Sequence, residues 1–304
     1  KKNYLKDFEK FLFNQNPKKN FIILSFENLN LKDINKKTIT IESNFLRNLI
    51  FKTLNAKFLY ASTPDLNNSV FVKSIYKTKY LYIQHSPVGL LNAYKENSFT
   101  NFDLIFCNSI YQKKDVLTIN KKFKKKIKSW RQKIILKKVN LAQKSKNKTI
   151  LIAPTWSTNF YRDEILDKLD NLNFDYEVTF RPHYMSILLN EISKQYFINS
   201  NFKEDFNSEF NITKYDLLIS DWSGIYLEYL INTHKRPLLI NTKEKKRNQI
   251  FHDEISIEKK LRNELAFQIE INELDKILTV VDQSINKNNK NNIEISKLKK
   301  IFYL

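Results

Sequence analysis

Residues 215–230 read YDLLISDWSGIYLEYL. An apolar run, Tyr215–Ile219, meets the polar turn Ser220-Asp221-Trp222-Ser223, and apolar residues then recur at helical spacing from Gly224 to Ile231. A short apolar run followed by a capped, periodic stretch is the pattern of a buried strand that feeds a helix. Ser223 is a natural N-cap, and the first N–H groups of a helix have no partner within it. With the dipole, worth about 0.3–1 kcal/mol, they form a place for an anion. Gly224 would let the backbone approach such a group closely. Glu228 follows in the second turn as an acceptor within reach of a ribose hydroxyl pair. The competing reading is plain helix capping with a solvent-facing Glu.

Outward from this segment the same pattern returns. YLYIQ is followed by His85-Ser86-Pro87-Val88-Gly89, TILIA by Pro154-Thr155-Trp156, and EVTF by Arg181-Pro182-His183. Strands are predicted at Phe21–Phe26, Thr38–Ile41, Lys57–Ala61, Tyr80–Gln84 and Asp103–Cys107. Further strands are predicted at Thr149–Ala153, Glu177–Arg181, Tyr215–Ile219 and Pro237–Ile240. Helices are predicted between them, including Ser43–Leu54, Ser109–Thr118, Lys121–Asn140, Tyr161–Leu172, Ser186–Tyr196 and Ile271–Asn286. Continuously apolar strands alternating with helices imply α/β architecture with parallel sheets covered on both faces. The expected organisation is an N-terminal domain over 1–140, a second over 141–285 and a helical tail over 286–304. In such domains ligands bind beyond the carboxyl ends of the strands, where the polar residues cluster. His85 is a candidate general base, since imidazole titrates near neutrality. Arg181 and His183 could hold a diphosphate and stabilise a leaving phosphate.

Composition narrows the chemistry. The 304 residues contain only two glycines, Gly89 and Gly224, too far apart for a GxGxxG or Walker A loop. The lone Cys107 excludes an internal disulfide and a cysteine-based zinc site. No histidine pair has metal-ligand spacing, so neither a metal nor a cofactor is expected. There is no apolar run of membrane-spanning length and no signal-peptide core at the N-terminus, so a cytoplasmic chain, soluble or peripheral, is expected. The net charge is +20, and residues 111–150 alone carry fourteen Lys and Arg131 against Asp115, or 15 − 1 = +14. In KKFKKKIKSWRQKIILKKVN the apolar residues recur every three or four positions, which predicts a basic amphipathic helix over 121–140. It can be read as a solvated helix, as a helix on an anionic membrane surface, or as a nucleic-acid contact. With Arg131 as its single arginine, the last is the weakest.

The ordered set His85-Ser86-Pro87, Ala153-Pro154-Thr155-Trp156, Arg181-Pro182-His183 and Ser220-Asp221-Trp222-Ser223, ending in Glu228, resembles the CDP-glycerol glycerophosphotransferase family of teichoic-acid and capsule enzymes. The resemblance covers about residues 75–250. It implies a GT-B-like fold, two Rossmann-like domains facing across a cleft. It implies transfer of glycerol phosphate, or a similar polyol phosphate, from a CDP-alcohol to a hydroxyl of a cell-surface polymer or lipid-linked acceptor, with release of CMP. On that resemblance His85 and His183 are catalytic. Arg181, Ser220, Asp221, Ser223, Gly224, Glu228, Pro154, Thr155 and Trp156 bind the donor. The alternatives are a GT-B glycosyltransferase using a CMP-, CDP- or UDP-sugar, and a basic nucleic-acid-binding protein, although no nucleic-acid partner is expected.

Overall fold

The computed structural model describes residues 23–25, 38–41, 43–67, 71–84, 86–134, 136, 147–206, 210–244, 248, 250–251 and 254–304. By contacts the chain divides into two compact units. One comprises Lys1–His85, Lys95–Asn108 and Gln112–Gln132; the other comprises Ser86–Tyr94, Ser109–Tyr111 and Lys133–Leu304.

The first unit holds two parallel sheets. Strands β1 (Ile23–Ser25) and β2 (Thr38–Thr40) form a pair. Helix α1 (Asn44–Thr53) starts at Ser43, whose hydroxyl accepts the Leu46 N–H. Strands β3 (Phe58–Ala61), β4 (Lys79–Ile83), β5 (Leu104–Cys107) and β6 (Lys128–Arg131) form a four-stranded sheet in that order. Helix α2 (Ile110–Phe123) connects β5 to β6.

The expected basic helix over 121–140 is corrected here. The helix stops at Phe123, Lys124 takes a left-handed φ of 52°, and Lys128–Arg131 pairs in parallel with β5. The side chain of Asn120 turns the chain. Its amide donates to Ile127 O at 2.9 Å and its carbonyl accepts the Ile127 N–H at 2.8 Å. Edge pairing with β5 satisfies backbone groups that a free basic helix would leave to its own ladder, so tertiary context overrides the periodicity. Residues 135 and 137–146 lie outside the described residues.

The second unit is built on six parallel strands: β7 (Thr149–Ile152), β8 (Glu177–Phe180), β9 (Lys203–Glu204), β10 (Leu217–Ser220), β11 (Leu238–Ile240) and β12 (Phe267–Ile269). Their order across the sheet is β12-β11-β10-β7-β8-β9. The helices are α3 (Asp163–Asp170), α4 (Tyr184–Leu188), α5 (Lys194–Asn199), α6 (Ile225–Thr233), α7 (Ile257–Leu265), α8 (Ile277–Lys290) and α9 (Ile295–Lys299). The helix expected over Ser186–Tyr196 is thus two short helices, broken where Asn190 turns with φ 53°. Helix α7 and strands β9 and β12 were not anticipated.

Alternation along the strands explains the covered faces. Ile150, Ile152, Leu217, Ile219, Leu238 and Ile240 point to one core with Leu166, Leu169 and Val281. Leu151, Leu218 and Leu239 point to the other with Leu227, Leu230, Leu261 and Phe302. A strand with apolar residues at every position is stable only with helices on both sides. Among the described residues no helix is long and apolar enough to cross a membrane.

Candidate active site

The sheet order places the site. The chain runs from β7 outward through β8 to β9, then returns to the other side of β7 and continues through β10 and β11 to β12. The direction of winding reverses between β7 and β10, and a crevice opens at the carboxyl ends of strands at such a switch point. Pro154-Thr155-Trp156 follows β7, Arg181-Pro182-His183 follows β8, and Ser220-Asp221-Trp222-Ser223 ends β10. These three strands are direct neighbours, with Ile152 paired to Phe180 on one side and to Ile219 on the other. Three stretches widely spaced in sequence therefore meet at one sheet edge.

Hydrogen bonds lock the loops together. The Ser220 hydroxyl donates to Ala153 O at 2.6 Å. Asp221 is fully buried; its carboxylate accepts the Thr155 N–H at 2.8 Å and the Thr158 hydroxyl at 2.9 Å. The Thr242 hydroxyl donates to it at 3.4 Å. Ser220 and Asp221 thus tie the β10 turn to the loop after β7. The indole N–H of Trp222 donates to Thr242 O at 2.9 Å.

His183 caps α4, and its Nδ1 accepts the Met185 N–H at 3.1 Å. With Nδ1 an acceptor, the proton of the neutral ring sits on Nε2. The ring is exposed and its centroid lies 6.3 Å from that of Trp156. The His183 N–H donates to the Tyr161 hydroxyl at 3.4 Å, and burial first of all raises the Tyr161 pKa far above its ordinary value. Arg181 is held from two sides: its Nη1 donates to Asp205 O at 3.1 Å, and its guanidinium lies 4.4 Å above the Phe210 ring.

The start of α6 differs in detail from expectation. Gly224, not Ser223, is the cap residue, with φ −61° and ψ −14°, and it has no side chain to close the first turn. The first backbone bonds are Tyr226 N–H to Ser223 O at 3.3 Å and Leu227 N–H to Gly224 O at 3.1 Å. The Gly224 and Ile225 amides precede them at the positive end of the helix dipole. Among the described residues the Ser223 hydroxyl makes no hydrogen bond, and Glu228 is half-buried in the first turn. The reason for the glycine is packing. A Cβ on Gly224 would lie 2.3 Å from Val88 Cγ1 and 3.3 Å from Ser86 Oγ. The segment after His85 therefore presses on the start of α6. His85 itself lies outside the described residues, as does His252.

Sequence reasoning missed the supports of these loops: Thr158, Thr242, Asp205, and Glu258 and Arg262 on α7. The helix was detectable. Ile257, Leu261 and Leu265 repeat every fourth residue behind Ser256, whose hydroxyl caps it by accepting the Lys259 N–H.

Residues 111–254 match the family model of CDP-glycerol:poly(glycerophosphate) glycerophosphotransferase. No curated protein matches the chain. Among solved structures, a substituted form of the wall teichoic acid polymerase TagF aligns with a TM-score of 0.60 at 14% identity, covering 99% of this chain and 80% of that one. A second TagF structure gives 0.53 at 13% identity, covering 95% and 78%. A TagF structure soaked with CDPG gives 0.54 at 14% identity, covering 95% and 77%. At these identities the structural likeness speaks for the fold, which is GT-B-like. The matched residues 111–254 include the loops that follow β7, β8 and β10, so the chain is similar to the CDP-glycerol:poly(glycerophosphate) glycerophosphotransferase family over that stretch and to TagF in fold.

Proposed function

We propose that the protein transfers glycerol phosphate from CDP-glycerol to a hydroxyl of a polymer or lipid-linked acceptor. The observation that carries this reading is the meeting of the β7, β8 and β10 loops at the switch point, with the amide end of α6 among them. A donor diphosphate lies there against the Gly224 and Ile225 amides and the Ser223 hydroxyl, with Arg181 and His183 on the β8 side. Trp156 offers a ring beside His183, and Glu228 accepts from the ribose. Ser220 and Asp221 act through the frame, since their side-chain oxygens bond other loops.

The acceptor oxygen attacks the β-phosphorus in line. The new O–P bond forms as the bond to the CMP oxygen breaks, and His85 removes the acceptor proton. The Nε2 proton of His183 and the helix amides stabilise charge on the departing phosphate. A general base contributes about 10²–10⁴-fold. The +14 carried by 111–150 gives an attractive field for a polyanionic acceptor or an anionic membrane surface.

The test incubates the protein with CDP-glycerol and a glycerol-phosphate-primed acceptor and follows CMP. His183→Ala and His85→Ala should each lose at least about 100-fold in kcat. Equal CMP release by wild type and His85→Ala would remove His85 from the mechanism. A thermal-shift panel in which no cytidine nucleotide stabilises the protein would remove the donor.

A further inference from the structure

Helix α7 carries two buried ionisable side chains one turn apart that the transfer chemistry does not use. Glu258 is 7% exposed, and its Oε1 accepts the Gly89 N–H at 2.8 Å. Its Oε2 is buried and, among the described residues, makes no hydrogen bond. The same strap, Ser86–Tyr94, is tied a second time where Asn92 Nδ2 donates to Glu254 O at 3.2 Å, just before the helix. The Tyr226 hydroxyl donates to Glu258 O at 2.5 Å, joining α6 to α7.

Arg262 is 2% exposed and its bonding partners are neutral oxygens. Nη1 donates to Asp221 O at 2.9 Å and Nη2 to Ile240 O at 2.8 Å. Nε donates to Asn241 Oδ1 at 3.2 Å and to Gln268 Oε1 at 3.3 Å. The guanidinium lies 4.4 Å over the Trp222 ring. Burying such a charge is costly, and an apolar residue would fill the same space more cheaply. What a guanidinium adds is a rigid planar fork with fixed donor directions. Here the fork grips the carboxyl ends of β10 and β11.

Residues four apart share one face of a helix. We propose that Glu258 and Arg262 are positioning residues that make α7 a brace: Glu258 fixes the strap that follows His85, and Arg262 fixes the Ser220–Gly224 turn. This rests on the transferase reading for its kinetic consequence, whereas the brace itself is a structural claim with its own readout.

The experiment measures steady-state CMP release and amide hydrogen exchange on the same full-length variants. Glu258→Ala should lower kcat by about 10–100-fold while KM for CDP-glycerol stays within about twofold, the mark of a misplaced but intact donor site. Exchange across 86–94 should accelerate. Glu258→Gln keeps an acceptor for the Gly89 N–H, so kcat should return to within about threefold and the exchange pattern to wild type. Arg262→Lys loses the fork, so KM for CDP-glycerol should rise about tenfold and exchange across 220–224 should accelerate. Wild-type kcat in Glu258→Ala, a Gln variant as poor as the Ala variant, or unchanged exchange over 86–94 would overturn the brace. A wild-type protein that releases no CMP would sink the transferase reading alone, with the exchange comparison still deciding the brace.

Discussion

Gly224→Ala is the sharpest perturbation the structure offers. The new methyl would sit 2.3 Å from Val88 Cγ1. Carbon atoms in contact prefer about 3.5–4.0 Å, so the strap or the start of α6 must yield by at least about 1.2 Å. Gly224 has φ −61°, which alanine adopts readily, so the cost is steric and not conformational. Overpacking of this kind costs about 1–3 kcal/mol. For a folding unit of 150–250 residues, each kcal/mol lowers Tm by about 2–4 °C, giving a fall of about 2–12 °C. The assay is a double-mutant cycle read by thermal unfolding and CMP release. Val88→Ala removes the clashing atom, after which the nearest neighbour is Ser86 Oγ at 3.3 Å, a polar atom on a short rotatable side chain. Gly224→Ala with Val88→Ala should therefore be more stable than the sum of the single changes, by about 1–2 kcal/mol of coupling. A Gly224→Ala protein with wild-type Tm would refute the packing account. Full loss without rescue would show that Val88 is not what the glycine accommodates.

Three further outcomes follow from buried and half-buried carboxylates. Asp221→Ala leaves the buried Thr155 N–H without its acceptor and should destabilise by about 1–3 kcal/mol, seen as a lower Tm. Asp216 is pushed up by burial, but the Thr149 N–H and Lys235 outweigh it and hold its carboxyl below the ordinary value. Its folded pKa being depressed, its stabilisation is present at neutral pH and fades as pH falls below about 4. Melts from pH 7 to pH 2 should show Asp216→Asn losing its deficit against wild type over that fall. Burial raises the Glu258 pKa, so its contribution is present below about 4.3 and is lost as pH rises through the raised value. The Tm difference between Glu258→Gln and wild type should therefore grow in favour of Gln across that rise, and a constant difference would contradict it.

The sheets were readable because their strands are continuous apolar runs. Thr149–Ile152 and Leu217–Ser220 lie inside the predicted spans to within a residue. Three of the four polar strand ends, after β7, β8 and β10, are described side by side. Periodicity failed in Lys121–Asn140, where apolar residues at helical spacing belong to the end of α2, a turn and an edge strand. Nothing local distinguishes a lysine-rich edge strand from a lysine-rich helix, and β5 makes the choice. Strand β9, at two residues, is too short to leave a pattern. The roles of Ser220 and Asp221 were unreadable for another reason: polar residues at a strand end look alike whether they face a ligand or, as here, a neighbouring loop. The glycine at 224 was noticed for the space it leaves, but that space is taken by Val88, 136 positions earlier in the chain.

The strap Ser86–Tyr94 bears on how the molecule can be dissected. It is encoded between two strands of the first unit, yet it belongs to the second by contact. A fragment cut at Lys133 would carry every strand of the six-stranded sheet and still be incomplete. The Glu258 carboxylate would lose the Gly89 amide, and the bare face of Gly224 would lose its cover. The second unit is thus not separable along the sequence: a working minimal fragment has to import Ser86–Tyr94 and Ser109–Tyr111 from earlier in the chain, as added peptides or grafted loops.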